Sequence, residues 1–191
     1  MFIAHAPASY LLTTFILERT SSGTFSDNEK TMLLTGCIFA GIFPDFDLLY
    51  FFLVDNRQHN HHTYWTHLPL FWLTLTFLLS VINITLKARR SLIIILLLAA
   101  NVFLHLVLDT MTSGIQWFQP FSGNFLSFID ISGGYQWWVW NFILHWTFII
   151  ELILTCAAIY HWRARRSGNC AAAGISLESQ GKPARNTVLF R

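Results

Sequence analysis

Seven side chains in this sequence carry imidazole or carboxylate groups at spacings that suit metal chemistry: His5, Asp45, Asp47, His62, His67, His105 and Asp109. His105 and Asp109 stand four residues apart in "HLVLDT", so on a helix both point to one side and can grip a single ion. Asp45 and Asp47 belong to "FPDFD", where a proline turn frees the chain to aim two carboxylates. His62 and His67 bracket a loop in "HHTYWTHLP" that ends at a helix start, with Pro69 in its first turn. Neutral imidazole with carboxylate suits a divalent metal, with Zn favoured and Mn or Fe as alternatives. The lack of thiolates argues against a structural zinc site, and Cys37, Cys156 and Cys170 follow no ligand or disulfide pattern. Seven donors exceed the need of one ion. One or two ions are therefore expected, and a pair could hold both the attacking and leaving oxygens of a phosphoester displacement.

The elements that must position these donors lie in lipid. Of 191 residues, 54% are hydrophobic and 12% charged, about half the charged share of an ordinary soluble domain. Residues 68–86 and 91–111 have the length and apolarity of membrane spans. Residues 138–160 are as long but carry His145 and Glu151, and residues 31–54 are interrupted at Pro44. Residues 2–17 form a short helix on which His5, Ser9 and Thr13 recur every four positions as one polar stripe. That stretch lacks a basic leader and is broken by His5 and Pro7, so it reads as retained structure. The expected fold is all-α, a polytopic membrane helical bundle of about five helices, one short and one broken at the Pro-Asp turn. It occupies residues 1–162. Residues 112–136, rich in Gly, Ser and aromatics, read as an interfacial loop. Residues 163–191 read as a disordered cytoplasmic tail.

Threading five helices through a bilayer places Arg19, Lys30, Lys87, Arg89, Arg90, Arg163, Arg165 and Arg166 on one side and only Arg57 on the other. By the positive-inside rule the crowded side is cytoplasmic, so the N-terminus and the donors face the periplasm of a bacterial inner membrane. Rise along each helix from the basic edge puts His5 about 18 Å up, Asp45 and His105 about 21 Å, Asp109 about 27 Å and His67 about 28 Å. In a hydrocarbon layer about 30 Å thick, all of these fall in the outer leaflet. Distant stretches of chain thus deliver their donors to one layer.

"FPDFD", "HHTYWTH", "HLVLDT" and "GIQWFQPFS", in that order, resemble the LexA-regulated, membrane-bound metal-dependent hydrolases, the YdjM-like inner-membrane proteins, over roughly residues 1 to 160. Carried over position by position, the resemblance implies the same metal-site set of His5, Asp45, Asp47, His62, His67, His105 and Asp109. This chain departs from the family's His-Arg-Gly-x-Thr-His-Ser block, with Thr63, Tyr64 and Leu68 in place of Arg, Gly and Ser. The order of ligand types is also similar to that of zinc-dependent phospholipase C and P1-type nucleases, an analogy that favours phosphoester hydrolysis.

The expected function is a membrane-bound metal-dependent hydrolase acting on a phosphoester of a lipid or lipid-linked substrate at the outer leaflet. Asp45 and Asp47 are the candidate catalytic carboxylates, with Asp47 as ligand or general base. His145, His61 and Thr66 are candidates to brace the ligands from behind. His145 could equally be a ligand or a satisfied core histidine, and His59 an interfacial loop residue. Glu151 and Asn101, at similar depth, are expected to share a buried hydrogen bond. Trp117, Phe118, Trp137, Trp138 and Trp140 are expected to form an outer aromatic belt. Partners are the lipid bilayer and such a substrate, with no nucleic acid. The rival readings are a metal carrier, which needs a polar path on both sides of the site, and a non-catalytic membrane protein with a vestigial site.

Overall fold

The computed structural model describes residues 3–20, 23–129, 131 and 133–180. Seven α-helices are formed among them: α1 (His5–Thr20), α2 (Asp27–Ile42), α3 (Asp47–Leu53), α4 (Pro69–Thr85), α5 (Arg89–Thr112), α6 (Trp138–Ile143) and α7 (Phe148–Gln180). The described residues contain no strand, only an isolated antiparallel bridge between Ile115 and Leu126. Two compact units are distinguished, Met1–Ala158 and Ile159–Arg191. All the donors lie in the first.

Pro44 tightens the helix instead of ending it. Phe43–Phe46 form a 3-10 turn between α2 and α3 with the proline at its start, where its missing N–H is not needed. The helical run Asp27–Leu53 is therefore long and apolar enough to cross a membrane, as is α5, while α4 is apolar but shorter. The expected single helix over 138–160 is divided into α6 and α7, with His145 in the intervening turn. Helix α7 continues past Trp162 to Gln180, through the polar segment read from the sequence as tail. Residues 181–191 lie outside the described residues.

Local chemistry accounts for the helix starts. Ser26 and Glu29 form a capping box at α2, the Glu29 carboxylate accepting from the Ser26 N–H at 2.8 Å. Glu29 also pairs with Arg90 at the start of α5, so α2 and α5 set out from the same level. Helices α1, α2, α4 and α5 pack together, with α5 touching the other three. A small apolar core of Leu17, Cys37 and Leu97 fills the end near these starts. At the opposite end the interior is polar: His5, Ser9, Thr13, Asn101, His105 and Asp109 are all buried. More polar than apolar residues are buried among those described, while Leu73, Phe77, Leu78, Ile82 and Ile84 of α4 face outward. Such an arrangement suits lipid rather than water as solvent.

Gly41 permits the closest helix approach. A Cβ built there would stand 1.8 Å from Ser9 Oγ and 2.9 Å from Ser9 Cβ, so α1 and α2 can meet only over a glycine. Overpacking of this kind costs about 1–3 kcal/mol. Gly41→Ala is expected to lower the melting temperature in detergent by several degrees, and Ser9→Gly in the same chain to restore part of the loss. Unchanged melting of Gly41→Ala would show that the two helices do not pack this closely.

Candidate metal centre

Five elements deliver the donors. His5 opens α1, Asp45 sits in the 3-10 turn after α2, and His62 and His67 lie in two 3-10 turns before α4. His105 and Asp109 follow one another along the last turns of α5. The first of the loop turns is set by Asn60, whose side-chain oxygen accepts from the His62 N–H at 3.0 Å. Pro69 then starts α4 directly behind His67. The six side chains meet around Asp109. Its Oδ2 lies 3.1 Å from His105 Nε2, 3.6 Å from His67 Nε2 and 3.7 Å from His62 Nε2. Its Oδ1 lies 3.2 Å from His5 Nε2. Asp45 approaches from the side, 3.7 Å from His105 Nε2, 3.9 Å from His67 Nε2 and 3.8 Å from His5 Nε2.

Three of the imidazoles are anchored by their other nitrogen. His105 Nδ1 is 2.8 Å from the Gly41 carbonyl, His62 Nδ1 2.8 Å from the Gly114 carbonyl, and His67 Nδ1 2.7 Å from Asp47 Oδ2. Carbonyl and carboxylate oxygens only accept, so each Nδ1 must hold the proton and donate it. In the neutral ring the lone pair is then on Nε2, the nitrogen that faces the centre. His105 Nε2 and His67 Nε2 are 3.3 Å apart. Two lone pairs at that distance repel unless a positive charge lies between them. Donors bonded to zinc at about 2.0–2.1 Å in a tetrahedron stand roughly 3.3 Å from each other. The spacings of His67 and His105 from each other and from Asp45 and Asp109, 3.1 to 3.9 Å, are near that requirement. His5, Asp45, His105 and Asp109 form one group that could hold an ion, and His61, His62 and His67 another.

The loop histidines respond to this crowding in opposite ways. Burial pushes His62 down to about 3 against the pull of Asp109, which keeps the ring neutral and ready to ligate. Burial also lowers His67, but hydrogen bonds to Asp109 and Asp47 outweigh it and lift the group to about 9.

Asp47 is placed behind His67, not among the donors to the centre. Its Oδ2 takes the His67 Nδ1–H and the Thr66 hydroxyl, and its Oδ1 lies 3.4 Å from His61 Nδ1. It therefore orients His67, and that oxygen cannot reach an ion held on the ring's far side. Thr66 helps to hold Asp47, and its carbonyl accepts from Trp72 Nε1 at 2.7 Å. His145 is not brought to the cluster; its Nδ1 is 2.9 Å from Thr147 Oγ1 in the turn before α7. His59 pairs with Asp55 in the loop, Nδ1 to Oδ1 at 2.7 Å.

Glu151 corrects the expected pairing with Asn101. Its carboxylate accepts from the backbone N–H groups of Ile3 and Ala4, at the entrance to α1 and next to His5. A negative charge there satisfies orphan donors and complements the helix dipole. Asn101 instead donates to Thr13 Oγ1 at 3.0 Å and to the Leu97 carbonyl at 2.9 Å. Gly41 and Gly114 were equally invisible as site residues, because they act through carbonyls; Gly114 adopts φ +76°, a conformation suited to glycine.

A family model described as YdjM inner membrane protein matches residues 1–179, which include every side chain of the centre. No curated protein and no solved structure matches the chain.

Removing the support behind a ligand should weaken metal binding without touching a donor. Asp47→Ala is expected to lower zinc affinity, measured by chelator competition on solubilised protein, about 10–100-fold. Glu151→Leu should weaken it too by loosening His5, whereas Glu151→Gln, whose amide oxygen still accepts an N–H, should retain most of it. Affinity unaffected by Asp47→Ala and Glu151→Leu would remove both residues from the site.

Proposed function

Because the chain belongs to the YdjM inner membrane protein family, we propose that it is a membrane-bound metal-dependent hydrolase acting on a phosphoester of a lipid or lipid-linked substrate. The observation that carries this reading is the convergence of four imidazole Nε2 atoms and two carboxylates at one end of a lipid-facing bundle. One or two zinc ions, or Mn or Fe, bound there would polarise a phosphoryl oxygen and make water acidic enough to attack. Asp109 presents one oxygen to His5 and the other to His62, His67 and His105, so it is suited to serve both donor groups. Asp47 fixes the tautomer and aim of His67. Asp45 lies at the open edge, its side chain 26% exposed against 3% for Asp109, which suits it to accept a proton from attacking water.

Orientation follows from charge. Arg19, Lys30, Lys87, Arg89 and Arg90 lie at the helix ends remote from the donors. The positive-inside rule then sets the donors toward the periplasm, where a substrate can approach sideways from the outer leaflet. The substitutions Thr63, Tyr64 and Leu68 in the loop block favour a second reading, a membrane protein that holds metal without turnover.

Purified zinc-loaded protein in detergent is expected to hydrolyse a phosphoester lipid. Chelator should abolish the reaction, and an Asp45→Ala, His105→Ala double variant should fall to background. Normal turnover by the double variant would refute the proposal; bound metal with no turnover across a panel of phosphoester lipids would establish the second reading.

A further inference from the structure

Beside the donors, the loop after α3 builds a pocket with a single cation in it. The loop is closed by Val54 and Asp55 N–H groups donating to the Tyr50 carbonyl and by the Arg57 N–H donating to the Phe51 carbonyl at 3.1 Å. Asn56 and Arg57 lie at φ +49° and +63°, a left-handed conformation that non-glycine residues seldom adopt. This turn sets the Arg57 guanidinium over the Phe52 ring, 4.8 Å from its centroid. A cavity of about 400 Å³ opens there, lined by Arg57, Asn60, His61, His62, Phe51 and Phe52 among others. His62 joins the cavity to the centre, its Nε2 lying 3.7 Å from Asp109.

Charge and wall chemistry define what fits. Asp55, the nearest carboxylate in sequence, is engaged with His59 through both its oxygens. No ion pair joins Arg57 to a carboxylate among the described residues. The other Lys and Arg residues of the first compact unit, Arg19, Lys30, Lys87, Arg89 and Arg90, are at or between the helix ends remote from the donors. An unneutralised guanidinium with a planar fork of donors recognises a phosphate-type anion. Thr112 and Ser113 add hydroxyls to the lining, while Leu48, Phe51, Phe52 and Phe142 give it an apolar side that matches a hydrocarbon portion.

We propose that this pocket binds the phosphate of an anionic amphiphile, with Arg57 gripping the phosphate oxygens and the aromatic wall holding the adjoining apolar part. Binding of the anion stands on the pocket alone; its role as substrate, presented to the donors past His62, rests on the hydrolase reading.

The full chain in detergent, titrated calorimetrically with dihexanoyl phosphatidic acid, dihexanoyl phosphatidylcholine and inorganic phosphate, tests this. Phosphatidic acid is expected to bind at least tenfold more tightly than the other two. Arg57→Gln should weaken it at least tenfold, with the melting temperature and zinc content of the wild type, and Arg57→Lys should recover part of the loss. Unchanged phosphatidic acid affinity in a folded Arg57→Gln variant would overturn the proposal. Equal affinity for inorganic phosphate would overturn its amphiphile part. Arg57-dependent binding by a chain that takes up no zinc would uphold the pocket while defeating the hydrolase reading.

Discussion

A buried carboxylate ringed by imidazole nitrogens is stable only with positive charge among its neighbours, and the rest of this structure is organised around that condition. Asp109 is held away from solvent at the end of α5 with four Nε2 atoms within 3.7 Å of it. Three of those rings are locked with their lone pairs inward by acceptors on the far side. Such a knot would be costly if left without a cation, since ionised groups removed from water are expensive to leave unbalanced. A divalent ion held by these donors would answer the requirement.

Much of the centre was legible in the sequence because helical rise converts residue number into depth. The pattern in "HLVLDT" places His105 and Asp109 on one face, and the donors assigned to one layer do meet, with His5, Asp45, His62 and His67 around Asp109. A rise counted along an unbroken helix misplaces a residue where the helix breaks, however. Glu151 and Asn101, expected at one level, meet α1 nine residues apart, or about 13 Å, with Glu151 at Ile3 and Ala4 and Asn101 at Thr13. His145 likewise has a suitable depth on an unbroken helix but falls in the turn between α6 and α7. Backbone carbonyls leave no mark in a side-chain pattern, so the anchoring of His105 by Gly41 and of His62 by Gly114 shows only in the fold. Asp47 resembles Asp45 in sequence, yet it faces the Nδ1 of His67 while Asp45 faces its Nε2.

The fold class was legible for a related reason. Apolar runs of membrane length leave few alternatives to helices, because lipid offers no partner to an unsatisfied backbone. The Pro-Asp turn was harder to read. Proline forbids only one hydrogen bond, and a 3-10 turn beginning at Phe43 accommodates that loss, so the chain continues into α3 and carries Asp45 and Asp47 to adjacent but differently facing positions. Two carboxylates two residues apart thereby acquire separate tasks, one at the open edge and one behind a ligand.

The tie between Glu151 and the entrance of α1 joins positions 148 residues apart. During synthesis the first helix emerges long before its fastening does. The N–H groups of Ile3 and Ala4, next to His5, therefore gain this acceptor only once the chain has been made as far as α7, so the start of the first helix is among the last parts of the fold to be fastened.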